Sequence, residues 1–279
     1  MIAVQSVRFS YANSLPLFED LSLQIPNGGI YGLLGKNGSG KTTLLKILAG
    51  LCFPQAGDCR VFDAEPAARN PNFLADLYIL PEGLYVPALT AEKYCQCYAP
   101  FYPAFDAKMF DEVTKQFEIP HNRLLTQMSH GQKKKFLISF GLATNAKLFI
   151  MDEPTNGLDI PSKTLFRQLL AQHFSDERIF IISTHQIHDV QNLLNHIIML
   201  EEGKIIFNQA AAEIALRLTC SRQTSEPRPG EYLYYEKKIG GYIVLSESRG
   251  QESEIDLEVL FNALLTNPAA FKKIFDKEK

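Results

Sequence analysis

Three short stretches of the chain are almost uninterruptedly apolar: Ile30–Leu34, Leu148–Met151 and Ile179–Ile182. Runs this short, with no polar alternation, suit strands buried on both faces of a parallel sheet. Each ends on residues of a different kind. Gly35 follows the first, Asp152 and Glu153 the second, and Ser183-Thr184-His185 the third. Thr43–Ala49 reads as a helix, with Gly50 placed to end it. Ser129 stands ahead of Gly131, three lysines and a long apolar run, a pattern that predicts a helix start. Near the carboxyl end, "EYLYYEKKIGGYIVLSE" predicts a hairpin turning at Gly240-Gly241. "DLEVLFNALL" predicts an amphipathic helix after it.

Composition narrows the class without naming it. The chain has 279 residues, 46% apolar and 21% charged, which suits a globular protein with a well-buried core. Its formal charge of −3 gives no reason to expect a large basic surface, so nucleic acid is not expected as a partner. Five cysteines, at 52, 59, 95, 97 and 220, form no C-x-x-C pair and suggest a reduced, cytosolic setting. No stretch resembles a signal peptide or a bilayer span, and we find neither repeats nor low-complexity tracts.

Chemistry concentrates first in "GKNGSGKT", Gly35 to Thr42, lying between the first strand and the first helix. Gly35, Gly38 and Gly40 let the backbone turn back, so that N–H groups of the loop, Asn37 and Ser39 included, converge on phosphates. That convergence is at the positive end of the helix beginning near Thr43. Lys41 is then placed for the β- and γ-phosphates, and the Thr42 hydroxyl for Mg²⁺. A chance glycine-rich turn rarely has strand, loop and helix in this order, so a nucleotide triphosphate is the expected ligand.

The second strand ends in adjacent carboxylates. At that place Asp152 is suited to holding Mg²⁺, and Glu153 to activating a water. A solvated surface pair is the weaker explanation directly after an apolar strand. His185 and His188 have helical spacing, but no further ligands follow them, so a metal pair is disfavoured.

Together these motifs resemble the ATP-binding cassette (ABC) ATPases over about residues 1–208. "GKNGSGKT" is similar to their Walker A and "LFIMDE" to their Walker B with its catalytic glutamate, Glu153. "GLD" is similar to the D-loop ending at Asp159, and "STH" to the segment carrying the switch histidine, His185. Met128-Ser129-His130-Gly131-Gln132 is similar to the signature. Tyr11 is at the place of the aromatic that stacks on adenine. The resemblance implies an α/β fold: a RecA-like P-loop core with a mainly parallel sheet and an antiparallel β edge on the N-terminal side. It also implies a helical subdomain at about 86–139 and a C-terminal hairpin and helix extension over 209–279 whose role stays open.

The same resemblance implies that two cassettes, identical or different, pack head to tail. Ser129, Gly131 and Gln132 would then close over the γ-phosphate held by the other chain. The expected ligands are ATP and Mg²⁺, with Thr42 and Asp152 on the metal. Glu153 is the expected general base, while Lys41 and His185 hold the γ-phosphate. Lysines 133–135 are expected to face phosphate or, for most of them, solvent. Two positions depart from the usual pattern: His130 replaces a signature glycine, and Glu82 occupies the Q-loop place usually held by glutamine. Glu82 tilts the resemblance toward export-type cassettes. A separate membrane permease is the implied partner, with the chain peripheral on the inner face of the membrane. Aromatics at Tyr85, Tyr94, Tyr98, Phe101, Tyr102 and Phe105 are expected mainly to pack the helical subdomain, the exposed ones being anchors for that partner. A soluble cassette acting on ribosomes or DNA is the alternative. The single cassette, and the lack of heptads between Thr42 and Ser129, argue against it.

Overall fold

The computed structural model describes residues 1–26, 28–228, 230–248 and 253–275. The chain opens with β1 (Ile2–Phe9), β2 (Phe18–Ile25) and β3 (Gly29–Leu34), then α1 (Lys41–Leu48) and β4 (Ala56–Val61). A short α2 (Pro71–Ala75) leads into β5 (Leu77–Leu80). A helical stretch follows, with α3 (Ala91–Tyr98), α4 (Ala107–Gln116) and α5 (His130–Ala143). The chain returns through β6 (Leu148–Asp152), α6 (Ile160–Gln172), β7 (Ile179–Ser183), β8 (His196–Glu201) and β9 (Lys204–Ala210). The last part holds α7 (Ala211–Arg217), β10 (Leu218–Gln223), β11 (Tyr234–Lys238), β12 (Gly241–Glu247), α8 (Leu257–Thr266) and α9 (Pro268–Phe275).

The central sheet has the order β5-β6-β7-β3-β8-β9, parallel except for β9, which runs antiparallel to β8. β3, β6 and β7 are buried at every position, as their apolar runs predict. Successive residues serve opposite faces. Tyr31, Leu33, Ile150 and Ile181 join a core with α1 and the first strands, while Leu34, Met151, Phe180 and Ile182 join the core that contains the helices. A polar residue inside these strands would therefore be buried whichever way it pointed, which is why the three runs are so uniform.

Two features depart from the sequence expectation. The N-terminal antiparallel strands form a sheet of their own, β2-β1-β4, rather than an edge of the central one. The C-terminal region is likewise a three-stranded sheet, β10-β12-β11, and not a lone hairpin. Its turn is also shifted: Lys238 pairs with Gly241, so the turn is at Ile239-Gly240 and Gly241 opens β12. Gly240 has φ +86°, a conformation that glycine adopts without penalty. A two-stranded hairpin alone is marginal in water, and β10 supplies the partner strand that the sequence reading lacked.

The start of α5 was legible. Ser129 Oγ accepts from Gln132 N–H at 3.2 Å, and Gln132 Oε1 accepts from Ser129 N–H at 3.1 Å, a reciprocal capping box. The helix continues past residue 139 to Ala143 without a break, and Tyr78 on β5 donates its hydroxyl to the Leu137 carbonyl at 3.0 Å. One rigid rod thus joins the helical region to the central sheet.

Candidate nucleotide site

Parallel strands deliver their carboxyl ends to one edge of the sheet. Leu33 and Asp152 both pair with Ser183, so the ends of β3, β6 and β7 are level. The residues that follow those ends line a cavity of about 610 Å³. That volume lies in the usual range for small-molecule sites, roughly 300–1,000 Å³. Asn37, Gly38, Gly40, Lys41, Thr42 and Thr43 form one wall, and Asp152, Glu153 and His185 another. Tyr11 and Glu82 are also at its surface, together with Leu15, Pro16 and Leu17, which sequence reasoning did not single out.

The glycine loop is built for close approach. Gly40, at φ +110°, is the residue before α1, and a Cβ there would come within 2.6 Å of the Phe18 ring. A Cβ on Gly35 would lie 2.2 Å from the Leu200 carbonyl oxygen. Lys41 is buried, and its ammonium donates to the carbonyls of Gly35 at 2.7 Å and Lys36 at 3.0 Å. Burial lowers its pKa, opposed by Glu153, Asp152, Glu201 and Glu82. Ser39 Oγ is buried with no hydrogen-bond partner among the described residues. A buried ammonium and an orphaned hydroxyl beside the exposed loop residues 36–38 fit a phosphate chain, since each gains from an anionic oxygen.

Thr42 and Asp152 come together as the sequence suggested. The Thr42 hydroxyl donates to Asp152 Oδ2 at 2.7 Å, and the Ser183 hydroxyl bonds Asp152 Oδ1. Two hard oxygen donors at the cavity wall fit Mg²⁺ well, because that ion takes a few protein oxygens and completes its shell with water and phosphate.

Glu153 is buried and held from several sides. Its carboxylate accepts from Thr184 Oγ1 at 3.1 Å and from the His185 backbone N–H at 3.0 Å, and His185 Nδ1 is 2.7 Å from Oε1. Its backbone has φ +49°, a left-handed conformation that is uncommon for a residue other than glycine. Ser183 and Thr184 bond the carboxylates of Asp152 and Glu153, and sequence reasoning assigned them no role. The only signal for them was their position, directly before His185.

Tyr11 is 46% exposed, and its hydroxyl is 2.9 Å from Thr43 Oγ1. Its ring meets Phe9 edge-on at 5.0 Å. Ser129, Gly131 and Gln132 do not line the cavity of their own chain. Gly131 passes close to the loop after β6, where a Cβ would lie 2.8 Å from the Gly157 carbonyl oxygen. Asp159 caps α6, accepting from Ser162 N–H at 2.9 Å, and its carboxylate is 3.8 Å from Lys135.

The lysine expectation requires correction. Lys134 is fully buried and faces neither solvent nor an open phosphate site. Its Nζ donates to the Glu153 carbonyl oxygen at 2.7 Å. Lys133 and Lys135 are half-buried. The helical period explains the split: Lys134 shares its face of α5 with the buried Leu137, Ile138 and Gly141, the last packed against Tyr78 and Phe149 of the sheet, so this one of three adjacent lysines goes inward. The aromatic segment also divides. Tyr94, Tyr102 and Phe105 pack against the helical core, while Tyr85 and Phe101 are 88% and 69% exposed.

A family model described as ABC transporter matches residues 18–156. The SkfA peptide export ATP-binding protein SkfE of Bacillus subtilis is 32% identical over 212 residues, covering 74% of this chain and 87% of SkfE. The chain belongs to the ABC transporter family. The ABC transporter ATP-binding protein NatA of Bacillus subtilis is 31% identical, with 68% of this chain and 80% of NatA covered. YtrB of the same organism is 28% identical, and the match spans 65% of its length. Among solved structures, an ATP-binding subunit of an ABC transporter superposes with a TM-score of 0.71 at 21% identity, covering 77% of this chain and 91% of that one. A dimeric ATP-binding cassette bound to ADP and Pi gives a TM-score of 0.65 at 22% identity, covering 75% and 98%. At such identities the structures establish the fold, a RecA-like P-loop α/β cassette. No helix among the described residues of this ABC chain is long and apolar enough to cross a membrane.

Proposed function

We propose that this chain binds and hydrolyses ATP with Mg²⁺, working in a head-to-tail pair of cassettes to drive a separate membrane subunit, with export as the favoured direction. The observation that carries this reading is the convergence of Lys41, Thr42, Asp152, Glu153 and His185 on one cavity from three level strand ends. SkfE and the bacitracin transport protein BcrA, 31% identical to this chain, are named as ATP-binding proteins of export or transport systems, which supports the transport role.

In this reading the loop N–H groups and Lys41 hold the phosphates, and Tyr11 offers an aromatic face to the base. Thr42 and Asp152 would hold the metal, which when bound neutralises charge on the phosphate oxygens. Glu153 takes the proton of the attacking water. The bonds from Thr184 and from the His185 backbone fix the direction of its carboxylate, so little reorganisation is needed. Ser129, Gly131 and Gln132 serve the partner chain's nucleotide, and Asp159 lies at the same face. Glu82 joins the site to the helical region at about 86–139. The exposed rings of Tyr85 and Phe101 are fitted to anchor the membrane subunit there. The 209–279 extension stands outside this assignment.

The direct test is Mg²⁺-dependent release of phosphate from ATP by the purified chain, with binding of a fluorescent ATP analogue measured alongside. A well-folded chain that neither binds nor hydrolyses ATP would refute the proposal.

A further inference from the structure

We infer that Glu258, on α8 of the C-terminal extension, is a positioning residue for His185, acting through His188 and the short turn that holds it. The inference rests on the ATPase reading above and gives the extension a part in it. His188 Nε2 lies 3.0 Å from Glu258 Oε2, a contact between residues 70 apart in the chain. The turn Ile187–Asp189 packs against α8. Asp256 caps that helix, accepting from Glu258 N–H at 2.9 Å and Val259 N–H at 3.2 Å, which fixes where Glu258 stands.

Spacing along α8 separates two faces. Leu257, Leu260 and Leu264 are buried in the core that also holds Ile187 and Val190. Glu258, Phe261 and Asn262, at i, i+3 and i+4, line a second cavity of about 320 Å³. Its other wall is Lys36 of the phosphate loop and the segment from Thr184 to His188. His185 therefore borders both this cavity and the nucleotide site. With open space beside the imidazole, its bond to Glu153 depends on how the backbone of the segment is held. Helix α6 holds one flank. Lys163 Nζ donates to Asp189 Oδ2 at 2.7 Å and to Gln186 Oε1 at 3.3 Å, and Arg167 Nη1 donates to the Asp189 carbonyl at 3.2 Å. Glu258 holds the other flank through His188. An exposed pair of this kind adds little to stability. Its contribution is the direction of the segment, and hence of the ring that bonds Glu153.

Steady-state ATPase of the full chain, with Mg²⁺, is measured for wild type, Glu258→Ala, His188→Ala, the double variant and Glu258→Gln. Amide hydrogen exchange is followed on the same proteins without nucleotide. Glu258 is also in the first turn of α8, where a carboxylate favours the helix by itself. His188→Ala removes the same contact without touching that helix. Each alanine variant should lose about threefold in kcat, with KM for ATP unchanged and a melting temperature within about 2 °C of wild type. The double variant should lose no more than the singles, because one contact is removed in all three. Amides of residues 185–190 should exchange about threefold faster in the alanine variants. Glu258→Gln should recover most of the lost kcat, since an amide can accept from the imidazole or donate to it. An active wild type whose alanine variants match it in kcat or in exchange overturns the inference alone. So do additive losses in the double variant, a loss confined to KM, or a glutamine variant as slow as the alanine one. A wild type that binds ATP but does not turn it over removes the ATPase reading and this inference with it.

Discussion

His185 Nδ1 lies 2.7 Å from Glu153 Oε1, so the residue at the tip of β7 and the residue at the end of β6 form one hydrogen-bonded unit. The same glutamate oxygen accepts the His185 backbone N–H at 3.0 Å. The imidazole and its backbone N–H therefore orient the carboxylate proposed as base.

Glu153→Gln keeps the size of the side chain and one oxygen, enough for the His185 bonds or the Thr184 bond but not for both, and takes no proton. The expected outcome is a loss of steady-state turnover of about 10²- to 10⁴-fold, the range for removing a general base, with ATP binding retained. Phosphate release and equilibrium binding of an ATP analogue measure the two separately. Normal turnover by this variant would take Glu153 out of the mechanism.

The Thr42–Asp152 pair makes a prediction about the metal. Chelation of Mg²⁺ by EDTA should stop hydrolysis and weaken ATP binding. Asp152→Asn should make binding largely insensitive to added Mg²⁺, because a neutral amide is a poor ligand for that ion. Titrating an ATP analogue with and without Mg²⁺ checks this. A variant whose affinity still rises with Mg²⁺ as in wild type would mean that other groups hold the ion.

What was legible in the sequence followed from physical uniqueness. Buried parallel strands have to be apolar throughout, so Ile30–Leu34, Leu148–Met151 and Ile179–Ile182 marked the central sheet, and their ends marked the cavity. The Ser129–Gln132 capping box could be anticipated at its serine because that chemistry is local. Lys134 could not be anticipated. A lysine is normally solvated, and only the rotation of α5 against β5 and β6 turns this one inward. Nor was β10 legible: Leu218–Gln223, running from buried to exposed, carry no clean alternation, and their strand character comes from pairing with β12. Local rules reach such segments poorly, because tertiary contacts decide them.

Two histidines give the fold a pH dependence with a definite sign. Burial lowers the pKa of His173, helped by the nearby Arg178 charge and opposed by Asp106 and Glu112, and burial lowers that of His196. Each is therefore easier to protonate in the unfolded chain. Stability from both is fully present above the ordinary histidine value of about 6.5 and is lost as pH falls below it toward the folded pKa. The melting temperature should decline from pH 7.5 to 5.5, before most carboxylates titrate. His196 stacks on Tyr31 at 4.8 Å, and His196→Phe, which keeps a stacking ring but cannot be protonated, should flatten part of that decline. An unchanged slope in this variant would assign the dependence elsewhere.

The last prediction concerns the signature. Ser129 and Gly131 do not line the cavity of their own chain, although Ser129 begins a helix whose N-terminal N–H groups favour an anion. Two defective variants test whether that anion belongs to the partner chain. Lys41→Ala removes the ammonium from the phosphate loop, and Ser129→Arg puts a bulky side chain at the helix start. Each homodimer should be inactive, since both of its sites carry the lesion. In a mixed dimer with shared sites, one site carries both lesions. The other combines an intact Lys41 from one chain with an intact Ser129 from its partner. Single-turnover hydrolysis should return at that rebuilt site, to at most half the wild-type amplitude for each dimer formed. A signature that served its own chain would leave every site broken at any mixing ratio. Heterodimer formation can be verified with two affinity tags, and a verified heterodimer without recovered hydrolysis would rule out sites shared between chains.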